Sequence, residues 1–154
     1  MTEDVARETP QSPPLIRTHL RFGWLGLSLF VVLGIALEGL HAFKSSAYLG
    51  VGQETRRLMW TLAHAHGVGL SLVHLGFVAS LRALRDPGQA LLLRASHALR
   101  WATVLIPGGF FLGGVVTYEG DPGVAVFLVP IGALVLVISL VCVVWVIWST
   151  DLKS

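Results

Sequence analysis

The residues of this sequence that could do chemistry are histidines and one carboxylate set among long apolar runs. Glu38 and His41 stand at the end of a first run, His64, His66 and His74 lie in a second, and His97 and Arg100 open a third. Ionisable side chains at membrane depth are costly and mark pairing, ligation or proton handling. Neutral imidazole with carboxylate suits zinc, copper or iron. Imidazoles from facing helices can hold haem b. A histidine stripe titrating near neutral pH can pass protons. Beside these stands a plainer role, in which a membrane histidine hydrogen-bonds a group on the next helix and fixes the packing.

Helical geometry sorts the candidates. Trp60, His64, Gly67, Ser71, His74 and Val78 share one heptad stripe, spread over about 80° of helix surface. The stripe is polar and small-residued in an apolar helix and is expected to face the bundle interior. His66 lies about 200° round the helix from His64, so the two cannot chelate one ion. Glu38 and His41 are spaced i,i+3 and share a face. With Arg57 as the outer boundary, His64 lies about 10 Å deep and His66 about 13 Å. Glu38, His41 and His64 near the outer leaflet are therefore the candidate metal site. His41, His64, His66 and His74, with His97, are the candidate haem ligands. Glu38-x-x-His41 matches half of the di-iron carboxylate pattern, but that pattern needs four carboxylates and Glu38 is the only one within a span, so it is rejected. The lone Cys142 offers no disulfide framework and no thiol pair. No nucleophile–base pair and no phosphate-binding glycine loop is present, so enzymatic turnover has no positive support.

Apolar elements must position these groups. Of 154 residues 54% are hydrophobic and 13% charged, against about 25% charged in an ordinary soluble domain. So short a chain cannot bury that much apolar surface in water, and lipid has to be its solvent. A net charge of +2, carried in short connections, argues against a nucleic-acid surface. Residues 1–17, with Pro10, Pro13 and Pro14, are expected to form a mobile tail, and 151–154 a short second one. Between them, over 18–150, four spans are predicted at about 22–40, 58–81, 98–118 and 124–148, each near the ~20 residues that cross a bilayer. The fold class is all-α, a polytopic up-down four-helix bundle, because short connections make sequential helices antiparallel neighbours. Asp86-Pro-Gly88 and Asp121-Pro-Gly123 read as turns. Gly109 and Gly113 form a small-residue pair for close helix packing, within the chain or with another copy. Pro107 and Pro130 are expected to bend their helices. The five tryptophans, near span ends, look like interfacial anchors. Arg7, Arg17, Arg21, Arg82, Arg85 and Arg94 outweigh Lys44, Arg56 and Arg57 on the other side, which predicts both termini in the cytoplasm.

Leu62-Ala-His-Ala-His-Gly67, Pro107-Gly-Gly-Phe-Phe-Leu-Gly-Gly114 and Glu119-Gly-Asp-Pro-Gly123 resemble segments of a group of uncharacterised small bacterial four-helix membrane proteins. That likeness covers about Phe22 to Trp148 and implies a bacterial inner-membrane location but no activity. Gly39-Leu-His-Ala-Phe-Lys44 and His64-Ala-His66 are loosely similar to a second uncharacterised four-helix family. The His-Ala-His segment also looks like the haem-ligand helices of haem-copper oxidase relatives, a family with more helices and ligands than four spans supply. The function expected is that of a small non-catalytic membrane component or accessory subunit, in a larger complex or a homo-oligomer. The alternatives are a haem- or metal-binding redox protein and a dimeric small-solute or proton transporter.

Overall fold

The computed structural model describes residues 13–85 and 87–151. The tail expected over residues 1–17 lies outside the described residues as far as residue 12, as do Asp86 of the Asp86-Pro-Gly88 turn and residues 152–154. From Pro13 the chain is helical. The elements are α1 (Pro13–Ala42), α2 (Ser46–Leu49), α3 (Glu54–Ala83), α4 (Gln89–Val115), β1 (Thr117–Tyr118), β2 (Asp121–Pro122), a 3-10 turn (Val124–Phe127) and α5 (Leu128–Trp148). By length and composition α1, α3, α4 and α5 with its leading turn are each long and apolar enough to cross a membrane. The architecture is an all-α four-helix bundle.

Two helices overrun the apolar runs that announced them. α1 begins at Pro13 rather than near 22, and α4 at Gln89 rather than near 98. The added turns are amphipathic. Arg17, Arg21 and Arg94 are exposed, while Leu15, Ile16, Leu91 and Leu92 pack into a core with Phe77, Leu81, Leu84, Ala95, Leu99 and Val146. A run of apolar residues misses such turns because the polar face interrupts it.

The helix ends explain the connections. After α1, the Ser45 N–H donates to the Leu40 carbonyl and the Lys44 N–H to the His41 carbonyl (both 3.0 Å). Those two bonds make a Schellman cap with Lys44 in the left-handed position at φ 50°. α4 stops at Val115 because the chain turns into the β1–β2 hairpin, where Thr117 pairs with Pro122 and Tyr118 with Asp121. Its tight turn is Glu119-Gly120, with φ 49° and 96°, a type I′ pair, and not Asp121-Pro-Gly123. Pro130 sits in the first turn of α5, where its missing N–H breaks no helical bond; Pro107 is interior to α4.

Packing follows chain order: α1 on α3, α3 on α4 and α4 on α5, while α1 and α4 scarcely meet. α3 and α4 are the inner helices, with 39% and 44% of their most apolar windows buried, against 11% for α1 and α5. The α4–α5 seam is a pair of small-residue stripes at spacing seven. α5 buries Gly132, Ser139 and Val146, and α4 sets Ala95, Ala102 and Gly109 against them. A Cβ on Gly132 would come within 2.7 Å of Ile106, and one on Gly109 within 2.9 Å of Val129. Ser139 Oγ donates to the Ala95 carbonyl at 2.9 Å. With no hydrophobic drive between helices in lipid, such close approach supplies the dispersion that holds them.

Candidate functional site

The most polar interior spot joins three helices. His19 of α1 and His74 of α3 are both 0% exposed, with their Nδ1 atoms 2.6 Å apart. His19 Nε2 lies 2.8 Å from Ser96 Oγ and His74 Nε2 lies 3.0 Å from Thr103 Oγ1, both on α4. Thr103 Oγ1 in turn donates to the Leu99 carbonyl at 2.8 Å. Aromatic rings close over the pair: Phe77 stands 4.4 Å from the His19 ring centre and Phe22 5.2 Å from that of His74.

Counting hydrogens fixes the direction of this chain. Thr103 spends its one hydrogen on Leu99, so it accepts from His74 Nε2–H. A neutral His74 then has an acceptor at Nδ1, which takes the hydrogen of His19 Nδ1. His19 Nε2 is left as an acceptor, and the Ser96 hydroxyl donates to it. The order Ser96, His19, His74, Thr103, Leu99 satisfies every donor and acceptor with both rings neutral. Burial makes that completeness matter, since an unmatched polar group in a low-dielectric site costs about 1–3 kcal/mol.

Local sequence explains why these groups meet. On α1, His19 begins a stripe with Gly23, Gly26 and Phe30 at helical spacing. A Cβ on Gly23 would lie 2.5 Å from Leu75, and one on Gly26 2.5 Å from Ser71 Oγ. α1 therefore rides close on α3, and His19 reaches His74. Ser96 and Thr103 are spaced seven apart on α4, hence on one face about 10 Å apart along the axis. His19 was not among the candidates above because it lies between Arg17 and Arg21, ahead of the first apolar run. Its spacing to Gly23 and Gly26 was the available signal.

The candidates read from the sequence are dispersed. Of the α3 stripe, Gly67, Ser71, His74 and Val78 are buried, and Trp60 and His64 are half-buried. His64 Nδ1–H donates to the Phe30 carbonyl on α1 at 2.7 Å. His66 is exposed, bonds the Leu62 carbonyl of its own helix at 2.9 Å, and lays its ring 4.9 Å from Phe110 of α4. Glu38 and His64 line one small pocket with Tyr48 and Thr61, of about 220 Å³, but His41 is exposed and outside it. The structure thus does not assemble Glu38, His41 and His64 as a metal site. Among the described residues no three of His, Cys, Asp and Glu gather in a group that could hold a metal ion. The haem ligand set fares similarly: His64, His66 and His74 are turned to different partners, and both nitrogens of His74 are taken. Nor does the His19–His74 pair suit zinc, since two imidazole nitrogens on one tetrahedral zinc stand about 3.3 Å apart. His97 is exposed and accepts at Nδ1 from Arg100 Nη2 at 2.8 Å. Gly109 and Gly113 both face the start of α5 and the turn before it.

The opposite end of the bundle is tied by Arg56 and Trp60. Arg56 donates to the carbonyls of Gly114 (3.0 Å), Val115 (3.3 Å) and Ala47 (3.2 Å), a cation on the negative end of α4. Trp60 Nε1 donates to the Phe111 carbonyl at 3.1 Å and its ring stacks between Tyr48 and Phe111. Trp60 is therefore a tie between helices and not only an interfacial anchor. Thr55 Oγ1 donates to the Gly120 carbonyl in the hairpin turn.

Comparison with known proteins finds no matching family model, no matching curated protein and no matching solved structure.

Proposed function

We propose that the chain is a small non-catalytic membrane component that acts by binding lipid or protein neighbours. One observation carries this reading: all four ring nitrogens of the buried histidines are spent on partners within the chain. A site built for ligation keeps a coordination position open, and one built for turnover gives a substrate access to its acid or base, whereas both rings here are 0% exposed. Here the most costly polar groups of the interior are used to lock α1, α3 and α4 together. The transport reading is less well supported, because the hydrogen-bonded chain ends on the Leu99 carbonyl. It extends about 10 Å along α4, a third of a ~30 Å hydrocarbon core.

The same reading places the protein in a bacterial inner membrane with both termini cytoplasmic. The excess of arginines at the end of the bundle that carries Arg17, Arg21, Arg82, Arg85 and Arg94 supports that orientation. The deciding experiment is absorption spectroscopy and elemental analysis of protein purified in mild detergent, with native pull-down from membranes. Colourless, metal-free protein recovered with stable lipid or protein partners is the expected result. A Soret band removed by His64→Ala or His66→Ala would overturn it. Cysteine labelling in the 45–53 connection from the cytoplasmic side would overturn the orientation.

A further inference from the structure

Because α1 packs on α3 and scarcely touches α4, a lateral groove runs between α1 and α4. Its volume is about 740 Å³ and its walls include Phe22, Leu25, Leu29, Val104 and Pro107, with Thr103 in the wall beside the histidine pair. Among the described residues the one charged side chain lining it is Arg21, at one end. Along α1 the lining runs from Arg21 to Leu33, twelve helical rises or about 18 Å. That is close to the ~15 Å depth of one leaflet's hydrocarbon.

The charge at that end is unanswered among the described residues. Arg21 is exposed and makes no hydrogen bond or ion pair with any described residue. Arg100, one turn before Thr103 on α4, bonds only His97, and its Nε is buried with no partner among the described residues. Of the described carboxylates, Glu38, Glu54, Glu119 and Asp121 belong to the other end of the bundle, where α1 finishes and α3 starts, while Asp151 follows α5 and its carbonyl is bonded by the Arg85 N–H. An open-sided apolar groove in lipid must be filled, since a void forfeits the dispersion contacts of its walls. The filling group has to be a slender chain, and the unpaired guanidinium selects an anion at its head.

We propose that the α1/α4 groove is a binding site for an anionic phospholipid, with one acyl chain along the groove and the phosphate drawn to Arg21. Anionic headgroups are abundant in the cytoplasmic leaflet, the leaflet that the proposed orientation gives to Arg21. The inference does not depend on whether the histidine pair has a chemical role. Thr103 links the two, because a chain in the groove would shield the last side chain of the buried relay from water.

Gly108 provides a clean test: it lines the groove, and a Cβ there meets nothing within 4 Å. Gly108→Leu therefore has room for its Cβ and puts three further carbons at the groove wall. Full-length protein in neutral detergent would be titrated with phosphatidylglycerol or phosphatidylcholine, and retained lipid counted by native mass spectrometry. Preferential retention of one phosphatidylglycerol is expected, weakened about fivefold by Arg21→Gln and abolished by Gly108→Leu. Arg21→Lys should restore much of the preference. Unchanged helicity and melting in each variant separates lost binding from lost folding. Equal retention of both lipids by the parent protein, or undiminished binding by Gly108→Leu, would overturn the proposal. So would cross-linking of Leu25 or Val104 between two copies, which would make a second chain the occupant.

Discussion

The Nδ1 atoms of His19 and His74 face each other across the α1–α3 seam at 2.6 Å, one donating and the other accepting. Each ring is the other's only Nδ1 partner, and Ser96 and Thr103 hold the far nitrogens. Replacing His74 with Phe keeps an aromatic body beside Phe22 but leaves His19 without its acceptor. A loss of about 1–3 kcal/mol is expected for either single Phe variant. The double variant should lose less than the sum, with a coupling of about 0.6–1.7 kcal/mol. Reversible unfolding in mixed micelles measures the cycle, and strict additivity would show that the two rings do not interact.

Gly67 and Gly69 are two residues apart on α3 and should respond in opposite ways to Ala. A Cβ on Gly67 would lie 2.3 Å from the Phe30 ring, whereas one on Gly69 meets nothing within 4 Å. Gly67→Ala is expected to force α1 off α3 and cost about 1–3 kcal/mol. Gly69→Ala should be neutral or gain up to about 1 kcal/mol, as glycine is a poor mid-helix residue. Thermal melting of the two variants side by side decides the point.

Lys44 holds a left-handed backbone at φ 50° to close the cap of α1. A side-chain residue pays about 1–2 kcal/mol there and glycine very little. Lys44→Gly should therefore raise the melting temperature although it removes a surface charge. Lys44→Ala serves as the charge control and should not raise it.

Arg56 bridges α2 and the end of α4 through three carbonyls. Its replacement by Met removes charge-assisted bonds each worth about 1.5–3 kcal/mol at most. Faster amide exchange is expected in the 114–123 segment, with α1 and the His19–His74 pair unaffected. Exchange mass spectrometry in micelles would show whether the loosening stays local.

The sequence by itself determined the class of this protein and the number of its long helices. Four runs of apolar residues of spanning length leave few alternatives, since only internally bonded helices suit such composition in lipid. It also marked the α3 stripe, because Gly67, Ser71, His74 and Val78 repeat at helical spacing. Helix starts were not legible: the first turns of α1 and α4 carry arginines on an outward face, and only packing shows that Leu15 and Leu92 turn inward. The partners of the histidines were not legible either. Spacing along one helix says which residues share a face, but not which residue of another helix comes opposite. That depends on how closely the helices ride, which Gly23, Gly26 and Gly67 set through contacts of single atoms. Tertiary structure thus joined His74 to His19, 55 positions away, turned His64 to a backbone carbonyl, and left His41 apart from both.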